Sequence, residues 1–304
     1  MRFLHTSDWH LGRLFHRVHL TEDQAFVLDQ FVDLARRERP DAVLISGDIY
    51  DRAVPPPEAV RLLDDTLSRL TLDLGIPTVV IAGNHDGPDR LAFGSRLLAG
   101  GGLHLFGLPG PAPEPIRLED AHGPVFIHAV PYAEPPVVRE AFGVETVHDH
   151  HAAMVACLDA VRSVHPEGAR SVVLAHAFVA GGAGSESERP LSVGGAGTVE
   201  ASAFAGFDYV ALGHLHRPQS LARDRLVYAG SLLKYSFDEA THRKSVSLVE
   251  MDAAGACTVE RIALTPRREV RRISGLHAEL LAAAAEDPAR EYNSVMLRSA
   301  STDG

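Results

Sequence analysis

Five times along this chain a short apolar run ends in side chains of the kind that hold metal ions. Arg2–Thr6 is followed by Asp8-Trp9-His10, Ala42–Ser46 by Gly47-Asp48-Ile49-Tyr50-Asp51, and Thr78–Ala82 by Gly83-Asn84-His85-Asp86. Ser171–Ala175 runs into His176, and Asp208–Leu212 into Gly213-His214-Leu215-His216. Runs rich in Val, Ile and Leu and apolar on both faces read as buried strands. In open α/β sheets, ligands bind at the carboxyl ends of the strands. The chain therefore has to fold so that these strand ends meet at one edge.

Val125–Ala129, Leu226–Ala229, Val246–Met251 and Cys257–Ala263 read as further strands. Helix-like segments lie between. Thr21–Arg39 opens with Thr21-x-x-Gln24, a capping-box pattern, and carries Phe26, Val27, Phe31, Leu34 and Ala35 at helical spacing. Pro56 and Pro57 start a second helix through Leu62, Leu63, Leu67 and Leu70, and His150–Val164 is a third. A β-α-β-α-β order followed mostly by strands predicts a layered α/β sandwich rather than a doubly wound sheet. Gly107–Pro115 and Ala180–Gly197 read as loops, the second long enough to suggest a function. Pro266–Arg272 is basic and marks a domain boundary, followed by a helix over Leu276–Ala285 and a strand over Ser294–Arg298.

Composition excludes whole classes. With 45% hydrophobic and 23% charged residues the chain is neither disordered nor fibrous. No run reaches the ~18 apolar residues of a membrane span, and the polar N-terminus lacks a secretory core. Two cysteines, Cys157 and Cys257, make no disulfide framework, so a cytoplasmic setting is expected. The net charge of −11 argues against broad, non-specific nucleic-acid binding but leaves room for a local basic groove.

The donor set is Asp8, His10, Asp48, Asn84, His176, His214 and His216. Imidazole, carboxylate and amide oxygen without thiolate suit manganese, iron or zinc and argue against an iron–sulfur cluster. These are too many donors for one tetrahedral zinc. They suit two adjacent ions sharing a carboxylate, the arrangement that clamps both oxygens in phosphoryl transfer. Each motif alone has a plainer reading: Asp48 as a helix cap, His176 as an ordinary histidine. Their joint order and strand context favour the metal centre. His148, His150 and His151 read as a solvated helix start, and His104, His122, His128 and His165 lack ligand-type partners at a strand end.

The pattern D-x-H, GD-x-x-D, GNHD, a lone H and GH-x-H resembles the calcineurin-like metallophosphoesterases. Within it, MRFLHTSDWHLGR, SGDIYDRAVPPPEA, VVIAGNHD, DYVALGHLHRPQ and YAGSLLKYSFDEA resemble the double-strand-break-repair nuclease branch, the nuclease subunits of bacterial SbcC–SbcD complexes, over residues 1 to about 275. The resemblance implies a four-layer αββα sandwich over residues 1–265 and the start of a small α/β capping domain over 266–304. It implies two divalent ions, manganese in this branch: one on Asp8, His10, Asp48 and His216, the other on Asp48, Asn84, His176 and His214. His85 would donate a proton to the leaving oxygen, with Asp51 as its acidic partner, while Asp86 holds the turn.

The implied partners are DNA, an SbcC-type ATPase subunit and a second copy of the chain, joined through Pro57–Leu74 and Leu91–Leu98. Nucleoid association would follow from action on DNA. The family's later segment that docks on the ATPase is expected to be missing from this chain. Arg13, Arg17, Arg52, Arg90 and Lys234, with Arg243 and Lys244 nearby, are candidate DNA contacts. Tyr235 and Phe237 are expected to pack beneath the site loops. The main alternative on the same centre is a phosphatase or cyclic-nucleotide phosphodiesterase acting on small phosphoesters, against which YAGSLLKYSFDEA speaks. A non-catalytic scaffold is disfavoured by the complete donor set.

Overall fold

The strand Ala42–Ser46 shows why its run is apolar at every position. Ala42 and Leu44 enter a core shared with a second sheet, while Val43 and Ile45 face a helical layer on the other side. The strand Arg170–His176 repeats the pattern, with Val172 and Leu174 between the sheets and Val173 and Ala175 turned outward. Side chains alternate across a strand, so a strand buried on both faces needs two apolar sets.

The structure, a computed structural model, describes residues 1–188, 197–286 and 292–297. Its first six-stranded sheet runs in the order Cys257–Ala263, Ser245–Met251, Arg2–Thr6, Ala42–Ser46, Thr78–Ile81, Leu103–Phe106. The last four are parallel and the first two antiparallel. The second sheet runs Gln219–Leu221, Leu226–Tyr228, Tyr209–Gly213, Arg170–His176, Gly123–Val130, Ile116–Asp120, with antiparallel strands at both edges. Helices Thr21–Glu38 and Pro57–Ser68 cover the first sheet through Val27, Phe31, Leu63 and Leu67. Helices Pro135–Phe142 and His150–Val164 cover the second through Val138, Met154, Leu158 and Val161. The result is the expected αββα sandwich. Each fully buried Leu, Phe or Met contributes ~1.5–3 kcal/mol relative to exposure.

Several local expectations are corrected. Thr21-x-x-Gln24 is no capping box: Leu20 stands at the N-cap without a side-chain cap, and Gln24 is buried elsewhere. Glu22 and Asp23 in the first turn and Arg36 and Arg37 in the last meet the helix dipole instead. The second helix is α-helical only to Ser68 and continues as one wider π turn, Arg69–Asp73. Leu91–Leu98 is no single helix but two turns, Pro88–Leu91 and Ser95–Leu98, parted at Gly94 with φ +74°. The edge strands Leu103–Phe106, Ile116–Asp120 and Gln219–Leu221 escape a sequence reading because they are short and only half-buried.

After the first sheet's edge strand Cys257–Ala263, Val270–Gly275, the helix His277–Glu286 and Tyr292–Leu297 form a βαβ unit whose two parallel strands, among the described residues, pair with each other alone. Arg298 and residues 189–196 of the long loop lie outside the described residues. Among the described residues no helix is long and apolar enough to cross a membrane.

Candidate metal centre

The five strand ends meet. The loops after Arg2–Thr6 and Ala42–Ser46 run side by side, zipped by Asp8 N–H to Gly47 O (3.0 Å), His10 N–H to Asp48 O (3.0 Å) and Leu11 N–H to Ile49 O (2.9 Å). His176 lies opposite Gly213 in the parallel register of the second sheet. Asp8, His10, Asp48 and His214 all have positive φ, at 53°, 46°, 50° and 101°. Such backbone is strained for residues with a Cβ and concentrates at functional sites. Gly83 is required by space, since a Cβ there would collide with Asp48.

The donor atoms converge as ligands do. Asn84 Oδ1 lies 2.9 Å from His176 Nε2 and 3.1 Å from His214 Nδ1. His10 Nε2 lies 3.0 Å from His216 Nε2. Two donors each ~2.1 Å from one ion and at right angles are themselves about 3.0 Å apart. Asp48 Oδ2 stands between the groups, 3.7 Å from His10 Nε2 and 3.5 Å from His176 Nε2. His176 donates its Nδ1–H to Ser46 O at 2.9 Å and turns Nε2 to the Asn84 oxygen. A proton on the ring, or a metal ion in its place, joins those two atoms. Asp8/His10/His216 and Asp48/His176/His214 each fit a cation, and the residues therefore fit two ions with Asp48 between them.

Electrostatics agree. Asp8, His10, Asp48, His176, His214 and His216 are all buried. Burial pushes Asp8 up to about 7. Burial disfavours the charged His176 ring, but the carboxylates of Asp48 and Asp8 outweigh it and raise it to about 9. Burial also opposes the Asp48 charge, yet His176 and His10 hold it well below the usual carboxylate range. Burial lowers His214 to about 3 and His216 to about 4, leaving neutral rings with lone pairs to give. A centre of this kind takes up positive charge.

A family model for the calcineurin-like phosphoesterases matches residues 1–218. The chain belongs to that family. Among solved structures it is similar to the protein TT1561 of Thermus thermophilus, at 16% identity over 86% of this chain and 98% of that one, with a TM-score of 0.48. It is also similar to a dimetal phosphatase from Danio rerio, at 13% identity over 88% and 99% with a TM-score of 0.47. The calcineurin-like phosphoesterase YfkN from Bacillus subtilis matches at 14% over 87% and 90%, with a TM-score of 0.42.

In this calcineurin-like phosphoesterase His85 is half-buried beside His10, with ring centroids 4.7 Å apart. Its Nδ1–H donates to the Asp51 carbonyl at 2.9 Å. Asp51 thus orients His85 through its main chain rather than its carboxylate. The carboxylate accepts from Arg13 at 3.1 Å and lies 3.8 Å from His10 Nδ1. Asp86 holds the turn, accepting from the N–H groups of Ile49, Tyr50 and Gly83.

The basic residues divide. Arg17, Arg52 and Arg90 are exposed and pair with no other described residue. Arg13 is committed to Asp51 and the Ser187 carbonyl and lies 5.0 Å over the Tyr235 ring. Lys234 is enclosed, bonded to Ala240 O and Glu269 at 2.7 Å each, and Lys244 is buried. Arg13, Lys234 and Lys244 are thus engaged with acceptors of the protein itself. His150 and His151 are half-buried rather than solvated, and His128 pairs with His165 at 3.0 Å.

Sequence reasoning placed Tyr235 beneath the site loops, as it is, but missed the other residues that brace the site. Gln24 donates to His10 O at 2.7 Å and Trp9 O at 3.1 Å, and accepts from Gly12 N–H at 3.1 Å. Tyr235 is buried beneath His10 and His216, with its hydroxyl on Trp9 O. Glu188, Ser187, Glu239 and Lys244 surround His216. YAGSLLKYSFDEA held the available signal, the carboxylates of Asp238 and Glu239 close to Tyr235.

Proposed function

We propose that this phosphoesterase is an SbcD-type DNA nuclease, acting with manganese as an exonuclease on double-stranded ends and an endonuclease on single-stranded or hairpin DNA. Its setting would be DNA repair and recombination, beside an SbcC-type ATPase. The observation that carries the reading is the packing of Tyr228–Ala240, the segment peculiar to the repair-nuclease resemblance, directly beneath the metal centre through Tyr235 and Glu239. Two divalent ions held by the seven donors supply charge neutralisation for a phosphate and acidify water. His85, oriented by Asp51 O, presents Nε2 as the proton donor to the leaving oxygen. Arg17, Arg52 and Arg90, exposed and unpaired among the described residues, would position phosphates. Leu72, Phe93 and Leu97, exposed at 73%, 85% and 87%, support a homodimer through that side. Residues from 266 onward start a capping domain.

The test is cleavage of linear double-stranded, hairpin and single-stranded DNA with manganese, magnesium and zinc, beside a small phosphodiester. Manganese-dependent DNA cleavage abolished in His85→Ala is the expected result. Turnover of the small ester alone would move the protein to the phosphodiesterase reading, which its net charge of −11 also suits.

A further inference from the structure

His216 is held by a chain of side chains that the metal-centre geometry does not by itself require. Its Nδ1 lies 2.6 Å from Ser187 Oγ and 3.3 Å from Glu239 Oε1. The Ser187 hydroxyl in turn donates to Glu239. Glu239 is fully buried, and Lys244, also buried, donates to its other oxygen. Lys244 further donates to His216 O at 2.7 Å and Ser231 Oγ at 2.8 Å. On the other side Glu188 accepts the His216 main-chain N–H at 2.7 Å.

A buried Glu–Lys pair stabilises a fold little better than an apolar pair of the same shape. What the charged pair adds here is an acceptor at a defined place. A carboxylate behind a ligand histidine fixes the ring tautomer and raises its basicity. The hydroxyl of Ser187 can serve both neighbours at once, accepting from the ring and donating to the carboxylate.

We infer that Ser187, Glu239 and Lys244 form a positioning relay for His216, holding its Nδ1–H and aiming Nε2 at the metal centre. The relay couples ion affinity on the Asp8/His10/His216 side to the placement of the Ser185–Glu188 loop. This rests on the reading of His216 as a metal ligand. Ser187, Glu239 and Lys244 are positioning residues, acting through the imidazole.

The test measures manganese binding by calorimetry and the His216 ring by ¹⁵N NMR in the metal-stripped full chain. Glu239→Leu with Lys244→Met removes the acceptor and leaves no lone buried charge. It should weaken one of two manganese ions by about 10–100-fold, leave the other unchanged, and convert His216 to a mixture of tautomers. Glu239→Gln with Lys244→Met keeps a neutral acceptor and should restore the Nδ1–H signal. Ser187→Ala, on a surface loop, should weaken the same ion several-fold and guards against misfolding of the buried variants. Wild-type affinity and a single Nδ1–H tautomer in the Leu/Met and Ser187→Ala variants would overturn the relay. His216→Ala separates the two readings: it should lose one ion outright, and binding of both ions at wild-type affinity would overturn the metal assignment itself.

Discussion

The two halves of the metal centre are built differently. Asn84, His176 and His214 are held mostly by the sheets: His176 bonds to the Ser46 carbonyl, and Asn84 sits in a turn whose main chain Asp86 secures. His10 and His216 are held mostly by side chains from distant segments, among them Gln24, Ser187, Tyr235 and Glu239, while Asp8 accepts from the Ser7 hydroxyl and the His214 main-chain N–H. One half comes with the strands. The other depends on parts that arrive only when helix, loop and late segment pack together. Asp48 belongs to both.

The largest break in this comparison is removal of what the halves share. Asp48→Asn should lose tight binding of both ions and lower turnover by roughly a thousandfold or more, measured by calorimetry beside an activity assay. His85→Ala should keep both ions and both halves intact while turnover falls by about 10²–10⁴-fold. If that variant also loses metal, His85 is a ligand rather than a proton donor.

Gln24→Ala should act on one half alone. Three buried main-chain groups lose their partner, so urea denaturation should show a loss of about 1–3 kcal/mol. Ion affinity should fall on the His10 side and hold on the His176 side. Chelation should lower the melting temperature of the wild type, since ions that bind only the folded state stabilise it by about 2.7 kcal/mol at a hundredfold excess over Kd. Asp48→Asn should show little such shift.

The smallest effect lies at the opposite ends of the strands. Asp120 accepts from Arg170 and from the N-terminal ammonium, 2.8 Å away. Arg170 chiefly, then the ammonium against the opposing effect of burial, holds its carboxyl well below the usual range. A carboxyl with a depressed folded-state pKa stabilises above its unfolded pKa and loses that contribution as pH falls. Asp120→Asn should therefore cost about 1 kcal/mol in urea at pH 7. The difference from wild type should narrow below about pH 4, and ion affinity should be unchanged at pH 7 in either half.

The legible part of the molecule follows the same division. The central strands announce themselves because burial on both faces demands an unbroken apolar run, and their polar ends stand out against it. The half-exposed edge strands do not. Thr21-x-x-Gln24 has the local pattern of a cap, yet Gln24 has a better partner in the Gly12 and His10 main chain, and a tertiary contact overrides a local one. Lys234 and Lys244 look like surface cations in the sequence, where nothing marks the acceptors that enclose them.

The sequence by itself determined the αββα order, the candidate donor residues and their delivery to one edge, because strand periodicity and side-chain chemistry are local. It also left His85 and Asp86 of the third motif outside that set. Only the tertiary structure decided that Asp51 orients His85 by its carbonyl, that Arg13 braces the site, and that Ser187, Glu239 and Lys244 stand behind His216. Those contacts join residues far apart in the chain, and a hydrogen bond across such distances is set by how layers pack, which no short stretch of sequence encodes.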